Sequence, residues 1–417
     1  MPGRFRTGLI WNLFAFGILA VCGFLLNVLI GRYYGPAAFG VFTQVLAYYY
    51  VFSQLAVGGL GYSTVSLSAR HSGDRTRLQG SVSAAIVLTI GLSLLSTASA
   101  LALSEPIGLW TGSAEVAQGI RWVIPGLVCF ALNKVLLFAL NGLAHMRAHA
   151  IFVGVRYILI LVVLSALIAF DATPAQLPLA LSAGEILLFP VILAYAISQR
   201  IIRLKRIARE DVREHLQFGA RSFFTPLLQD ATTKVDVLVL GLFVDDAAVG
   251  VYAFAAMLAI EGAYQILYVV QINLSPILSA LPAESRTEQV RGLMRRATLY
   301  LTPVMLLVGI VGTLLFPTVA DLLTQDDAFA EGWPFFTIIL AGLTLAAGRL
   351  PFSVAFNQWG LPNAFFALAL FQLVSNAVLN LALVPFFEGL GSAIGTALSF
   401  VLTAIYLQFI ISRTEKK

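Results

Sequence analysis

Charged residues are scarce in this sequence. They account for 11% of the 417 residues, whereas hydrophobic residues account for 59%. A soluble domain carries about 25% charged residues, so this composition excludes an ordinary soluble protein and predicts a chain that crosses a membrane many times. The formal net charge of +5 gives no reason to expect nucleic acid as a partner, because the basic residues lie in short loops between apolar runs.

Cysteine, histidine and nucleotide-binding motifs are equally sparse. The only two cysteines, Cys22 and Cys129, stand inside apolar runs, so no disulfide framework is expected. His145 and His149 are four residues apart, but the sequence offers no third ligand beside them, so no metal site is expected. No lysine is followed by Ser or Thr, which excludes a Walker A sequence. We therefore expect no cofactor and no ATPase within this chain.

Apolar runs of about 20 residues, the length that crosses a bilayer as a helix, recur about twelve times. They predict an all-α membrane protein with about twelve transmembrane helices. Six fall in residues 1–198, which we interpret as an N-terminal lobe, and six in residues 222–417, which we interpret as a C-terminal lobe. The predicted spans are 9–30, 38–60, 80–103, 119–141, 151–170, 177–198, 219–243, 248–271, 294–316, 333–352, 363–384 and 390–412.

Residues 199–221, between the two predicted lobes, form the longest interruption of the spanning pattern and are rich in arginine. Their apolar positions recur at helical spacing, so we predict an amphipathic helix lying on the cytoplasmic leaflet and joining the lobes. Two interpretations stay open: a connection that lets the lobes move, and a plain topogenic segment on anionic lipid. The apolar positions are Ile201, Leu204, Ala208, Val212 and Leu216.

The loops differ in charge according to the side on which the predicted topology places them. Most of the Lys and Arg residues fall on one side, together with both chain termini. Cytoplasmic loops retain an excess of Lys and Arg. We therefore predict that both termini are cytoplasmic. The loops on the opposite side are short and comparatively acidic, so no folded domain is expected there.

The two halves of the sequence repeat a short motif. Ala37–Phe42 reads AAFGVF and follows the first predicted span, and Ala247–Tyr252 reads AAVGVY and follows the seventh. The matching position within each half argues against chance similarity between apolar segments. An internal repeat of two six-helix lobes in the same orientation is typical of transporters.

Six ionisable residues lie deep inside predicted spans, where charge is costly and usually faces a cavity or a partner. A carboxylate in a low dielectric can load and release a proton near neutral pH, so the four carboxylates are candidates for ion coupling. Glu261 is the strongest, because no basic residue stands within a turn on its own span. Asp230 is the weakest, because Lys234 is one turn away and the two can pair. A structural ion pair and, for Lys134, snorkelling are the alternatives. The six are Glu185, Asp230, Asp236, Glu261, Lys134 and Lys234.

Polar and aromatic side chains follow three of the predicted spans at helical spacing. Span two carries Tyr48 among other tyrosines and glutamines, span eight carries Tyr264 and Gln265, and span eleven carries Asn376 and Asn380. Two interpretations stay open. The side chains form hydrogen bonds between helices, or they line a hydrated cavity whose aromatic platforms suit sugars.

The segment Gly31–Phe42, with the sequence GRYYGPAAFGVF, resembles the opening signature of the Wzx-type polysaccharide or O-antigen flippases. These form the polysaccharide transporter family of the multidrug/oligosaccharidyl-lipid/polysaccharide exporter (MOP) superfamily. The chain length, the predicted spans, the basic middle stretch and the pair Lys234 and Asp236 in span seven resemble the same family over essentially the whole chain.

The resemblance implies a V-shaped pair of six-helix bundles with a cationic cavity and alternating access. The implied activity is translocation of an undecaprenyl-pyrophosphate-linked oligosaccharide, an O-antigen or other surface polysaccharide unit, from the cytoplasmic to the periplasmic leaflet. The implied partners are that substrate, membrane lipid and a polysaccharide polymerase or export machinery. Arg156 and Arg349 stand near predicted helix ends, where snorkelling is the simpler interpretation. The candidate substrate-binding residues are Lys134, Lys234, Arg32, Arg156, Arg349, Tyr48, Tyr264 and Gln265.

Three other classes of protein compete with this interpretation. An ion-coupled multidrug or cation antiporter of the same superfamily would use carboxylates in its cavity, which the four buried acids supply. A major-facilitator transporter also has twelve spans, but Gly73–Arg77 lacks glycines that its loop motif requires. A membrane enzyme would need acidic residues or sizeable loops on the periplasmic side, and the first such loop has no acid. We therefore expect a transporter and not an enzyme.

Overall fold

The computed structural model describes residues 2–202, 207–282 and 286–413, which form helices and no strand. Within these residues, nine helical stretches are long and apolar enough to cross a membrane. The helices are α1 (Pro2–Val57), α2 (Leu60–Arg70), α3 (Arg75–Thr111), α4 (Ala114–Gly142), α5 (Met146–Ala169), α6 (Leu179–Ser198), α7 (Arg209–Ser222), α8 (Phe224–Thr232), α9 (Val235–Leu240), α10 (Asp246–Met257), α11 (Tyr264–Ser279), α12 (Arg286–Thr324), α13 (Trp333–Ala346), α14 (Ala355–Gln358) and α15 (Pro362–Arg413).

The nine stretches account for the twelve predicted spans for two reasons. Two of the helices contain two spans each, and one further span is divided between two short helices. α1 contains two spans joined at Gly35, whose φ of 74° is not helical. α15 contains two spans joined at Glu388, whose φ is 50°. The seventh predicted span is not one helix but the two short helices α8 and α9. The all-α membrane fold predicted from the apolar runs is confirmed.

The chain divides into two compact units. Unit 1 consists of Met1–Tyr34 and Gln44–Asp230, and unit 2 consists of Gly35–Thr43 and Ala231–Lys417. α1 therefore contributes to both units, and the described part of residues 199–221 belongs to unit 1. The lobe boundaries expected from the spanning pattern stay a prediction.

Unit 1 is held together by close packing of α3, α4, α5 and α6. Leu136, Leu188 and Ile192 belong to one buried apolar cluster. Where α4 crosses α6, a Cβ added at Gly126 would lie 2.4 Å from the Cα of Ser182, so only glycine allows the two backbones to approach this closely. The Gly126 N–H also donates to the Ser182 hydroxyl at 2.9 Å. This crossing fixes α4 against α6.

α7 packs on unit 1 with its polar side. His215 is 0% exposed, and its Nδ1 lies 2.8 Å from the hydroxyl of Ser63 while its Nε2 lies 3.0 Å from that of Ser81. Asp211 is also buried, one turn before it. Burial lowers the pKa of His215 to about 4, so its imidazole is neutral at pH 7. A hydrogen-bonded neutral ring therefore ties α7 to α2 and α3.

The amphipathic helix on the cytoplasmic leaflet, predicted for residues 199–221, stays a prediction. Within the described residues a helix begins at Arg209, and Leu204 lies outside them. Leu216 is 52% exposed, as a side chain that faces a leaflet would be, whereas its neighbour His215 is buried. The sequence pattern did not indicate that polar side chains of α7 meet serine hydroxyls inside unit 1.

In unit 2 the two copies of the repeated motif pack directly on each other. A Cβ at Gly40 would lie 1.7 Å from the backbone oxygen of Asp246, and one at Gly250 would lie 1.9 Å from that of Pro36. Each of these Cβ atoms would also lie 3.0 Å from the backbone N of the other glycine. The contact is thus reciprocal, as expected for two related segments. The glycine shared by both motifs is there because the helices touch backbone to backbone.

Candidate functional site

Unit 1 encloses a polar cavity of about 220 Å³. Four helices line it: α1 through Tyr50 and Gln54, α4 through Lys134, α5 through Arg156 and α6 through Glu185. Three residues that the sequence singles out, two cations and a carboxylate, are therefore brought together. The cavity is smaller than the about 300–1,000 Å³ of pockets for drug-sized ligands, so it can hold a phosphate-sized group and not a whole oligosaccharide.

An aromatic ring lies between the two cations of this cavity. Lys134 Nζ lies 5.3 Å from the centroid of Phe130, and Arg156 Cζ lies 5.0 Å from the same centroid. Such cation–π contacts contribute about 0.5–2 kcal/mol each. Lys134 Nζ also donates to Gln54 Oε1 at 3.2 Å. Both contacts help to position the lysine in the lining of the cavity, beside Arg156.

Arg156 forms an ion pair with Glu185. The Glu185 side chain is 1% exposed, and Asn133 Nδ2 donates to its Oε2 at 2.9 Å. The interpretation of Arg156 as a snorkelling side chain near a helix end is therefore wrong, because its partner is a buried carboxylate on α6. With Lys134 added, the cavity has two cations against one carboxylate and is positive on balance.

Unit 2 places Lys234 at the break between α8 and α9. Its Nζ lies 3.9 Å from Glu261 Oε1, and Glu261 belongs to the π-helical turn Leu258–Ala263. Interrupted helices and π-helical turns frequently occur at functional sites. The sequence argument for Glu261 considered only basic residues on its own span, and the fold brings Lys234 to it from outside that span. The role of Glu261 in ion coupling stays a prediction. The side chain of Asp230 lies outside the described residues, so its predicted pairing with Lys234 stays a prediction.

Asp236 is the deeply buried carboxylate of unit 2, at 3% exposure. Its Oδ2 accepts a hydrogen bond from the hydroxyl of Tyr252 at 2.7 Å, and its Oδ1 accepts one from the backbone N–H of Val237 at 2.9 Å. The Tyr252 hydroxyl also lies 3.2 Å from that of Thr396. The carboxylate thus accepts hydrogen bonds from one hydroxyl and one backbone N–H inside unit 2, and Thr396 contacts the Tyr252 hydroxyl rather than the carboxylate.

The polar stripe of the eleventh predicted span forms hydrogen bonds between helical segments. Asn380 and Asn376 are both buried, and Asn380 Nδ2 donates to Asn376 Oδ1 at 2.7 Å. The Ser392 hydroxyl, beyond the kink of α15, donates to Asn380 Oδ1 at 2.7 Å. Of the two interpretations left open for this stripe, interhelical hydrogen bonding is the one that the geometry supports.

Other predicted residues do not line the unit 1 cavity. Arg32 is exposed on α1. Tyr48 faces away from the cavity, and Tyr49 and Tyr50 line it instead, because consecutive residues of a helix point about 100° apart.

In unit 2, the remaining predicted residues are dispersed. Tyr264 stacks on Phe400 with centroids 6.5 Å apart, and Gln265 is exposed. Arg349 Nε donates to Gln408 Oε1 at 2.8 Å. Arg349 and Gln408 both line a second cavity, described below.

Sequence reasoning missed the side chains that complete each cluster. Asn133 and Tyr157 line the unit 1 cavity, Tyr252 donates to Asp236, and Thr396 contacts the Tyr252 hydroxyl. The signals were present in the sequence. Asn133 directly precedes Lys134, Tyr157 directly follows Arg156, and Tyr252 ends the second copy of the repeated motif. A polar residue beside a buried charge deserves the same weight as the charge, because a buried charge needs hydrogen bonds.

Comparison of the fold with solved structures gives the class of protein. The chain superposes on the inward closed conformation of the lipid II flippase MurJ with a TM-score of 0.74 at 15% identity, covering 98% of this chain and 87% of that one. It superposes on the inward-facing conformation of a multidrug resistance MATE family transporter of the MOP superfamily with a TM-score of 0.69 at 19% identity, covering 98% and 96%. The chain therefore has the fold of MOP-superfamily transporters.

Sequence comparison gives the family. Residues 5–288 match the family described as polysaccharide biosynthesis protein, and the chain belongs to it. The family resemblance inferred from Gly31–Phe42 is confirmed. A curated relative, the probable flippase AglR of Haloferax volcanii, is 27% identical over 177 residues, which are 41% of this chain and 36% of that protein. The match thus spans about a third of the length of that relative.

Proposed function

We propose that this chain is a flippase that moves an undecaprenyl-diphosphate-linked oligosaccharide from the cytoplasmic to the periplasmic leaflet by alternating access. The observation that carries the proposal is the positive cavity of unit 1, where Lys134 and Arg156 face the single carboxylate of Glu185. The family to which the chain belongs and the names of its flippase relatives support the same class of substrate.

The cavity suits the charged end of such a lipid. A diphosphate is anionic, and Lys134, which contacts Gln54 and Phe130, can form a strong charge-assisted hydrogen bond with a phosphate oxygen. Tyr50 and Tyr157 stand in the same wall and offer the aromatic surface on which sugars pack. In a cavity of about 220 Å³, the lysine meets the diphosphate and not the whole glycan.

Net transport needs a source of energy outside this chain, because its sequence has no Walker A motif. The membrane potential supplies about 2.3 kcal/mol per charge per 100 mV, and with the inside negative it drives an anionic headgroup outward. Ion entry can add to this. The buried Asp236, which accepts a hydrogen bond from the Tyr252 hydroxyl, is the coupling carboxylate that the geometry supports best, ahead of Glu261 and Glu185, which are both ion-paired.

The test is translocation of a fluorescent undecaprenyl-diphosphate oligosaccharide in proteoliposomes. We expect Lys134→Ala to reduce the rate at least tenfold and Lys134→Arg to reduce it less, because arginine keeps the charge. The control is Arg121→Ala, which removes a charge from the same helix where Arg121 pairs with Glu105 outside the cavity. A rate for Lys134→Ala equal to that of Arg121→Ala would overturn the proposal.

The predicted topology is part of this proposal. Both termini are cytoplasmic and the protein lies in a bacterial inner membrane, where it hands its product to a polysaccharide polymerase or export machinery. A reporter inserted at Gly73, in the turn between α2 and α3, should be cytoplasmic, and one inserted at Asp326, between α12 and α13, should be periplasmic. Two reporters on the same side would contradict the orientation.

An ion-coupled multidrug antiporter is the second candidate function. The observation in its favour is Asp236, because a buried carboxylate that can exchange a cation or proton is what an antiporter requires, and a MATE transporter shares the fold. Efflux of a fluorescent organic cation such as ethidium distinguishes the two. Ethidium efflux that persists in Lys134→Ala and stops in Asp236→Asn would favour the antiporter.

A further inference from the structure

Unit 2 holds a second cavity, of about 830 Å³, in which arginine is the recurring residue. Arg291, Arg295 and Arg296 come from the beginning of α12, and Arg349 comes from the turn after α13. No carboxylate is found among the described residues that line it. We call it the arginine cavity. The sequence alone assigned the three arginines of α12 to orientation in the membrane and gave a binding role to Arg349 only.

The lining of the arginine cavity is rich in positive charge. Arg295, Arg296 and Arg349 each bring a guanidinium group to the same space. A cleft lined by one sign of charge concentrates its field, so an anion in the cavity is attracted by several side chains at once.

Arg349 is already positioned for such a ligand. Its Nε donates to Gln408 Oε1 at 2.8 Å, so a neutral amide fixes the guanidinium without cancelling its charge. A guanidinium presents five N–H groups in a planar fork that matches the oxygens of a phosphate. Several such forks around one cavity favour an oxyanion with many oxygens, such as a phosphate or a diphosphate.

The surroundings of the arginine cavity favour a phosphate that is carried on a lipid. Leu299, which lines the cavity, is 67% exposed, and Leu306 and Ile310 continue an exposed apolar stripe along the same side of α12 at 53% and 52%. Only 11% of the apolar window of α12 is buried, the smallest share among the described candidate spans. A hydrocarbon chain can therefore lie along α12 while its headgroup occupies the cavity.

We propose that the arginine cavity is a binding site for the phosphate or diphosphate headgroup of a lipid whose chain lies along α12. Its volume is in the range of about 300–1,000 Å³ that small-molecule sites occupy. The site shares no lining residue with the unit 1 cavity. It does not depend on the proposed transport activity, because binding is measured without translocation.

The test uses the purified full-length chain in neutral detergent and measures binding by native mass spectrometry. Dioleoyl phosphatidic acid is the lipid probe, inorganic diphosphate is the soluble probe, and dioleoyl phosphatidylcholine is the zwitterionic control. Arg295→Gln/Arg296→Gln removes two charges from the cavity. The matched control Arg70→Gln/Arg75→Gln removes two exposed arginines from unit 1. All four positions are exposed, so neither double variant disturbs a core.

We expect the wild-type chain to retain phosphatidic acid over phosphatidylcholine. Arg295→Gln/Arg296→Gln should weaken that binding at least tenfold, because it removes two guanidinium groups whose charge-assisted hydrogen bonds to phosphate are strong. The control variant should stay within about twofold of the wild type. If only the binding of inorganic diphosphate depends on these two arginines, the site binds a soluble anion, and the proposal of a lipid ligand is overturned.

An equal loss of phosphatidic acid binding in both double variants, or a loss in neither, would overturn the proposed site altogether. That result would leave the transport proposal untouched, because translocation is tested through Lys134 in unit 1. Conversely, a Lys134→Ala variant that translocates normally would leave the arginine cavity in place as long as its binding depends on Arg295 and Arg296. The two failures are therefore distinguishable.

Discussion

The crossing of the two repeated motifs in unit 2 makes the sharpest stability prediction. A Cβ at Gly40 would lie 1.7 Å from the backbone oxygen of Asp246, whereas ordinary contact begins at 3.4 Å. The obstacle is helix backbone, which cannot rotate away as a side chain can. Overpacking a buried contact typically costs about 1–3 kcal/mol, occasionally more, so we expect Gly40→Ala to reach the upper end, about 3 kcal/mol. That cost lowers the ratio of folded to unfolded protein roughly 100-fold.

In the assay, detergent-solubilised protein is heated, and size-exclusion chromatography then measures the fraction that remains folded at each temperature. Gly250→Ala should behave as Gly40→Ala does, because its Cβ would lie 1.9 Å from the backbone oxygen of Pro36. Gly17→Ala and Gly23→Ala are matched controls in the same helix as Gly40, with nothing within 4 Å of the added Cβ. They should be neutral or stabilising, since alanine favours a helix over glycine by about 1 kcal/mol. A Gly40→Ala protein that melts with its controls would refute the reasoning.

Three further predictions concern ionisable groups. Burial lowers the pKa of His215 from its usual 6.5 to about 4, so between these values the unfolded chain binds a proton that the folded protein does not. The contribution of His215 to stability should therefore be constant above pH 7 and fall by about 3 kcal/mol as the pH drops from 6.5 to 4. His215→Gln should flatten that slope in a pH series of melting curves. Glu185→Ala should destabilise unit 1 by about 3 kcal/mol, because removing one partner of a buried pair leaves Arg156 without its counter-charge, and Glu185→Gln, which still accepts hydrogen bonds, should cost less. Melting temperatures of both variants equal to that of the wild-type protein would show that the pair contributes nothing. Asp236→Asn should remove the response of transport to an imposed pH gradient and Glu261→Gln should preserve it, and the reverse result in proteoliposomes would move the coupling site to the π-helical turn.

Local sequence signals predicted the helices well. Apolar length gave the spans, and Gly35 followed by Pro36 marked the break inside α1, because glycine adopts the positive φ of 74° without strain and proline cannot continue the preceding helix. The break at Lys234 was not predicted, because the seventh span has neither glycine nor proline at that point. Its cause lies in tertiary contacts such as those of Asp236, which no local pattern encodes.

Pairing between helices was beyond the reach of one sequence. Arg156 and Glu185 stand on different helices, and nothing in the spacing of either helix shows that they meet. The same holds for Lys234 and Glu261, whose side chains lie 3.9 Å apart. The sequence could identify which residues are costly in a bilayer. It could not identify their partners, because those depend on helix packing.

His215 shows the complementary error. A helical pattern that treats every polar residue as exposed puts this histidine on the outer face of α7, yet it is fully buried between Ser63 and Ser81. The serines of α2 and α3 explain this burial, because they supply the hydrogen bonds that a buried neutral imidazole needs. Amphipathic patterns are therefore unreliable for helices that dock on polar surfaces inside a membrane protein.

The most direct measurement compares the translocation of two lipids that differ only in headgroup charge. One is an undecaprenyl-diphosphate oligosaccharide and the other is the same oligosaccharide joined to the prenol without phosphate. With Lys134 and Arg156 facing one carboxylate in the unit 1 cavity, we predict that proteoliposomes containing the protein move the diphosphate lipid at least tenfold faster. We also predict that Lys134→Ala removes the difference. Equal transport of both lipids by the wild-type protein would contradict the proposal that the cavity selects an anionic headgroup.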